Sequence, residues 1–198
     1  MSLLLDGKGI SAQKLEDIMK NGYEHNKTNI GRLKIDNALS DDNVQVHHNN
    51  KNNKTVINHT GTKDTGDWVN NLAITAGVGK YTPRYIHSQN IQNKTEQKYG
   101  TKHLYTVGHS QGGFHAENLG VKSKKVITYN KPVLPENVFK KGKSNQTDIR
   151  TENDPVSILS RLQFRNKNIH TIPSTSKNLF QEHSTDALNR IPAYLHWS

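Results

Sequence analysis

Gly108-His109-Ser110-Gln111-Gly112-Gly113 is the stretch of this 198-residue chain whose residue types and spacing could do chemistry. It follows His103-Leu104-Tyr105-Thr106-Val107, which reads as a strand, and precedes a helical run from Phe114. A serine at a sharp strand-to-helix turn is held in a strained backbone conformation. Its near neighbours must therefore lack side chains, and its oxygen projects above the carboxyl end of the sheet. The helix that follows aims free N–H groups at the reacting atoms, where an oxyanion would develop. Gly-x-Ser-x-Gly alone is a weak pattern that a plain glycine turn also satisfies. The flanking strand and helix are what favour a nucleophile.

Such a serine needs a base, and the base needs an orienting carboxylate. In a sheet of this kind they follow in the order Ser, Asp or Glu, His, on loops at one edge. Asp148 falls at the entry of a predicted strand, the wrong end, whereas Asp154 comes after it in Thr151-Glu152-Asn153-Asp154-Pro155-Val156. Pro155 keeps Asp154 extended and removes a competing N–H. Among the late histidines, His170 lies inside a predicted strand and His196 near the end of a predicted helix. His183, in a loop after the last strand, is the better placed base.

Positioning these residues requires alternating strands and helices, and the sequence supplies them. Ser11 can cap a helix through Asn21, with Leu15, Ile18 and Met19 on one face and Gly22 as its stop. Val44-Gln45-Val46 and Thr55-Val56-Ile57-Asn58-His59 read as two arms of a hairpin whose Asn/Lys-rich tip, His47-His48 included, is solvated. Helices are expected over Asp67 to about Thr75, with Trp68 and Leu72 apolar, and over Pro83 to Tyr99, with Tyr85, Ile86 and Ile91 inward and Gly100 as terminator. The piece between them, Ala76 to Thr82, is too short for a further helix. Strands follow at Lys125–Tyr129, Asp148–Arg150 and Asn168–Ile172, then a helix near Ala187 to Leu195. The expected class is α/β: a mixed, mostly parallel sheet with flanking helices, in a single domain over residues 1–198.

Four segments carry a resemblance to the class 3, fungal-type lipases of the α/β-hydrolase superfamily. His59-Thr60-Gly61-Thr62 with Asp67-Trp68 is similar to the family's Arg-Gly-Thr/Ser strand end and downstream Asp-Trp. Thr106 to Gly113 resembles the Gly-His-Ser-Leu-Gly-Gly elbow, and Val126 to Pro132 the strand and turn after the elbow helix. Asn153-Asp154-Pro155-Val156 matches the acid loop, with His183 at the place of the late histidine. The likeness covers about residues 55 to 185. It implies Ser110 as nucleophile, Asp154 as orienter and His183 as general base and then acid. It also implies an oxyanion hole from the N–H of Thr62, helped by its hydroxyl, and the N–H of Gln111. Two departures stand out. Thr60 replaces the family's arginine, which is expected to loosen that loop, and Gln111 replaces leucine, where only the backbone need contribute.

Composition bounds the partners. With 27 Lys+Arg against 17 Asp+Glu the formal charge is +10, mean hydropathy is −0.86, and only 31% of residues are hydrophobic, so the core is thin. The absence of cysteine rules out disulfides, thiolate nucleophiles and Cys-ligated metals. No metal or cofactor is expected: Gly77-Val78-Gly79-Lys80 ends in Tyr81 where a phosphate loop needs Ser or Thr. The 6 arginines are scattered, so no nucleic acid is expected. The charge is read first as a lysine-rich surface, and second as attraction to an anionic membrane surface. No run approaches the ~20 apolar residues that span a bilayer and no signal peptide is recognisable, which makes the cytoplasm the default location. The expected activity is hydrolysis of a lipid or acyl ester through an acyl-serine. The alternative is a catalytically silent lipase-like protein that holds a membrane or protein partner.

Overall fold

The structure, a computed structural model, describes residues 9–24, 27–62, 79–191 and 196–197. The helix expected over Asp67–Thr75 and the connection at 76–78 lie outside the described residues. Strand β1 (Ile10–Ser11) leads into helix α1 (Ala12–Tyr23), and β2 (Lys34–Ile35), β3 (Val44–Asn49) and β4 (Lys54–His59) follow. Helix α2 (Pro83–Tyr99) precedes β5 (Leu104–His109), and helix α3 (Gln111–Leu119) precedes β6 (Lys125–Tyr129). Then come β7 (Gln146–Thr151), β8 (Ile169–Ile172), the short helix α4 (Leu179–His183) and β9 (His196–Trp197). The sheet order is β2-β3-β4-β5-β6-β7-β8, antiparallel from β2 to β4 and parallel from β4 to β8. This is the mixed, mostly parallel sheet with flanking helices that the sequence implies. All five parallel strands point their carboxyl ends to one edge, so the turns after them converge there. A separate two-residue antiparallel pair joins β1 to β9, Ile10 opposite Trp197.

The helices form where their caps and apolar stripes dictate. Ser11 caps α1 by accepting from the Lys14 N–H, and Leu15, Ile18 and Met19 are buried with Val56, Val107, Ile127 and Ile149 on one face of the sheet. Alternation along β3 to β5 sends Val44, Val46, Ile57 and Leu104 to the other face, against Ile91 and Leu39. Thr82 caps α2, Pro83 opens it, and Gly100 ends it at φ +72°. The far end of α2 is fastened to the loop before β3. Lys98 Nζ and the Tyr99 hydroxyl both donate to Asp36 Oδ2, at 2.6 and 2.9 Å, and Tyr99 stacks on His48 with ring centres 4.2 Å apart.

The thin apolar core is supplemented by buried polar groups that find partners. Asn58 Nδ2 donates to Ile18 O at 2.7 Å, Lys54 Nζ to Gly9 O at 2.8 Å, and Thr106 Oγ1 meets Ser123 Oγ at 2.7 Å. In this way a chain of low hydropathy fills its interior. Among the described residues no helix is long and apolar enough to cross a membrane.

Several local expectations are corrected. Gly22 does not stop α1 but lies in its last turn, packed against Asn58 and Thr60. His47 and His48 are not a solvated tip: both are inside β3, and His47 is fully buried with Nε2 3.1 Å from Thr28 O. Ile86 faces solvent, helix α3 starts at Gln111 rather than Phe114, and His183 ends a short helix rather than lying in a loop. The segment after it is a 3-10 turn over Thr185–Arg190, and His196 belongs to β9.

Burial lowers the pKa of His59 from 6.5 to about 4 and that of His115 to about 3. In the unfolded chain both take up protons near 6.5. Between the folded and unfolded values the unfolded state binds more protons, so stability present above that range is lost as pH falls. The urea midpoint is expected to decline from pH 6.5 towards 4, and to decline less in a His115→Gln variant, measured by fluorescence.

Candidate active site

The turn after β5 places Ser110 at φ +55°, ψ −129°, a conformation costly for any residue with a Cβ. Two residues away in either direction only glycine fits. A Cβ on Gly108 would lie 2.2 Å from Gly112 O, and one on Gly112 would lie 1.9 Å from His59 O. The Ser110 N–H donates to Tyr129 O at 2.9 Å, which ties the turn to β6. Helix α3 begins at once with Gln111, and the serine side chain does not cap it. Its hydroxyl is thus not spent on the helix end.

Asp154 and His183 meet although 29 residues separate them. His183 Nδ1 lies 2.5 Å from Asp154 Oδ1, and Asp154 Oδ2 accepts from the Ser157 N–H at 2.7 Å. Asp154 is 1% exposed. A carboxylate only accepts, so the proton of this bond belongs to Nδ1. The end of β6 supports the histidine from below. Asn130, at φ +44°, donates from Nδ2 to Glu182 O at 2.9 Å, and the Tyr129 hydroxyl donates to Ser184 O at 3.0 Å.

The residue before the serine completes the assembly. His109 Nε2 donates to the backbone carbonyl of His183 at 2.7 Å, and the two rings lie 4.7 Å apart. Its Nδ1 must then accept, which it does from the Tyr23 hydroxyl at 2.6 Å, and the same hydroxyl oxygen accepts from the Gly61 N–H at 3.0 Å. One chain of hydrogen bonds therefore runs from the loop after β4, through α1 and the elbow, to the histidine. Burial, assisted by the neighbouring His183, holds the His109 pKa well below 6.5, and burial pushes the Tyr23 phenol up. Both stay neutral, as this bonding pattern requires.

Residues Thr60 to Thr62 lie beside the elbow, and here the two departures from the lipase pattern prove to be linked. Arg84, in the first turn of α2, donates from Nη2 to Thr60 O at 2.7 Å and Gly61 O at 2.8 Å, and from Nη1 to Gln111 Oε1 at 3.1 Å. Thr62 Oγ1 donates to the same Gln111 oxygen at 3.1 Å. The loosening expected at Thr60 is not found, because an arginine from another element holds the loop. Gln111, of which only the backbone was expected to matter, thus bonds through its side chain to both Arg84 and Thr62. The Thr62 hydroxyl proton, expected to face an oxyanion, goes to Gln111.

Ser110, Asp154, His183, Thr62 and Gln111 are thus gathered at the carboxyl edge of β4, β5, β7 and β8. Asp148 is not among them: it lies in β7, bonded to Thr128 Oγ1 at 2.7 Å and 3.2 Å from Lys131 Nζ. Sequence reasoning missed Tyr23, Arg84 and the role of His109. Tyr23 and Arg84 sit on helices distant in sequence and carry no spacing signal. His109 lies within the elbow itself, and its side chain is committed by neighbours the sequence does not name.

This sheet, with a strained serine after β5 and an acid–histidine pair after β7 and β8, defines a lipase-like α/β-hydrolase fold. Residues 21–175 match the model of a phospholipase-like family described as the Tle-like phospholipase domain, and the chain belongs to that family. Among solved structures it is similar to the Lip2 lipase of Yarrowia lipolytica, with TM-score 0.52 and 13% identity over 83% of this chain and 80% of that one. A triacylglycerol lipase of Penicillium expansum gives TM-score 0.49 and 15% identity over 84% and 82%. No curated protein sequence matches the chain.

Replacing Arg84 with Met removes the donor from two backbone carbonyls and from Gln111 Oε1. A loss of about 2–3 kcal/mol in urea unfolding is expected, and Arg84→Lys should recover only part, since one ammonium cannot span all three acceptors.

Proposed function

We propose that the chain is a serine hydrolase of lipid esters, with phospholipid as the substrate class, as the family's description suggests, and that residues 1–198 act as one domain. The observation that carries this reading is the bond from His109, the residue next to Ser110, to His183, whose ring is bonded to Asp154. These bonds fasten the backbone of the acid–histidine pair to the turn that carries Ser110, which supports a shared site at one edge of the sheet.

In this reading Ser110 Oγ attacks the ester carbonyl while His183 Nε2 takes its proton, and Asp154 steadies the resulting imidazolium through Nδ1–H. Negative charge collects on the former carbonyl oxygen. The N–H groups of Thr62 and Gln111 are the donors proposed for it, the second at the positive end of α3. Arg84 and Tyr23 act as positioning residues: they hold the loop so that no reorganisation is needed when the charge appears. His183 then passes its proton to the leaving alcohol, leaving an acyl-serine. A water molecule, activated by the same histidine, releases the acid.

A fluorophosphonate probe should label the wild-type chain at Ser110, and Ser110→Ala should neither react nor hydrolyse p-nitrophenyl esters. Labelling elsewhere, or surviving turnover, would remove the assignment and favour a catalytically silent relative. Asp154→Asn should lower turnover by roughly 10⁴-fold. Asp148→Asn should instead cost stability, because it weakens the neutralisation of buried Lys131, and leave turnover of the folded protein near wild type.

A further inference from the structure

Around the proposed catalytic pair the usual partition of side chains is inverted. In the segment that follows Asp154, the buried residues are Ser157, Ser160 and Gln163. The apolar side chains beside them are exposed: Ile158 at 50%, Leu162 at 46% and Phe164 at 77%. This arrangement is held from beneath. Arg150 Nη1 donates to Ser160 Oγ at 2.6 Å, and Gln163 Nε2 donates to Asn137 O at 3.1 Å, so the polar side chains are fastened inward and the apolar ones turn out. Helix α4 repeats the inversion: Glu182 is buried and paired with Arg190 at 2.9 Å, while Leu179 and Phe180 are half exposed. Single exposed apolar residues are ordinary, but two segments bonded to the same carboxylate, each with polar residues inside and apolar residues outside, are not.

Both segments flank the site. The first leaves the carboxyl end of β7, and its start is bonded to Asp154 through the Ser157 N–H. The second follows β8 and ends at His183, whose ring is bonded to the same carboxylate. Charge identifies what they face. Between Asp154 and Glu182 the chain carries Arg161, Arg165, Lys167 and Lys177 and no Asp or Glu. These four cations are exposed. Apolar side chains that can enter the boundary between headgroups and acyl chains, accompanied by four exposed cations against the exposed carboxylate of Glu152, which accepts from the Ser174 N–H, complement an anionic lipid surface.

We propose that this inverted rim is the surface on which the protein sits on an anionic phospholipid bilayer, with Ser110 turned towards the membrane. The proposal rests on the hydrolase reading for its purpose and makes bilayer phospholipid the substrate source. Its binding, however, needs no catalysis.

The test uses the Ser110→Ala chain and vesicle flotation. It should bind vesicles of equal parts phosphatidylglycerol and phosphatidylcholine at least about tenfold more tightly than phosphatidylcholine alone. Ile158→Ser with Phe164→Ser should weaken that binding by about tenfold or more, and Arg165→Ala and Lys177→Ala by about fivefold each. With Ser110 restored, the same variants should hydrolyse a soluble p-nitrophenyl ester at the wild-type rate. Failure to bind either vesicle, or binding indifferent to the rim substitutions, would overturn the proposal, including in favour of a protein partner on this surface. Rim-dependent binding without any ester hydrolysis would leave the proposal standing and remove the hydrolase reading instead.

Discussion

Ser110 holds a backbone conformation that costs an L-residue about 1–3 kcal/mol, and it persists only because its surroundings over-determine it. The constraint spreads outward from there. The closeness of Gly112 to His59 O brings α3 hard against the end of β4, and the Ser110 N–H is committed to β6. His109 must then point to the side where it meets both Tyr23 and the His183 carbonyl. The turn thus decides where the loop after β4 and the histidine after β8 can sit.

The polar interior follows from the same economy of apolar residues. A chain with so few hydrophobic side chains cannot surround its elbow with aliphatic packing alone. Helix α1 is held to the sheet partly through Asn58 to Ile18 O and Gln45 to Asn21 O, and α2 partly through Gln92 to Thr106. Such bonds are directional, and they fix register more tightly than apolar contacts of equal area. They also bring histidines into the core in neutral form, which ties the fold's stability to pH.

The parallel strands, α2 from Pro83 to its terminator Gly100, and the elbow were legible in the sequence, because strand periodicity, a proline at a helix start and glycine spacing are local signals. The pairing of Asp154 with His183 was legible through chain order. What was hidden depends on tertiary approach. His47-His48 looks like surface in a run of Asn and Lys, yet Thr28 and Tyr99 arrive from elsewhere to enclose it. Gly22 looks like a helix stop, but the close passage of Asn58 is what selects it. Arg84 offers no pattern at all; its place was taken in the sequence reading by the arginine missing at Thr60. The inverted segment after Asp154 could not be read either, since Ser-Ile-Leu-Ser-Arg-Leu-Gln-Phe gives its apolar residues to a presumed core.

Helix α2 joins these themes in one rigid element. Its 17 residues span about 25 Å, from Arg84 at the loop after β4 to Tyr99 on the hairpin. Asp36 and His48, which hold Lys98 and Tyr99 at the end of α2 away from the serine, therefore act as the distant anchor of a beam whose other end steadies two backbone carbonyls beside it. Whatever loosens that anchor tilts the beam, and the position of the loop beside Ser110 carries a contribution from the opposite end of the molecule.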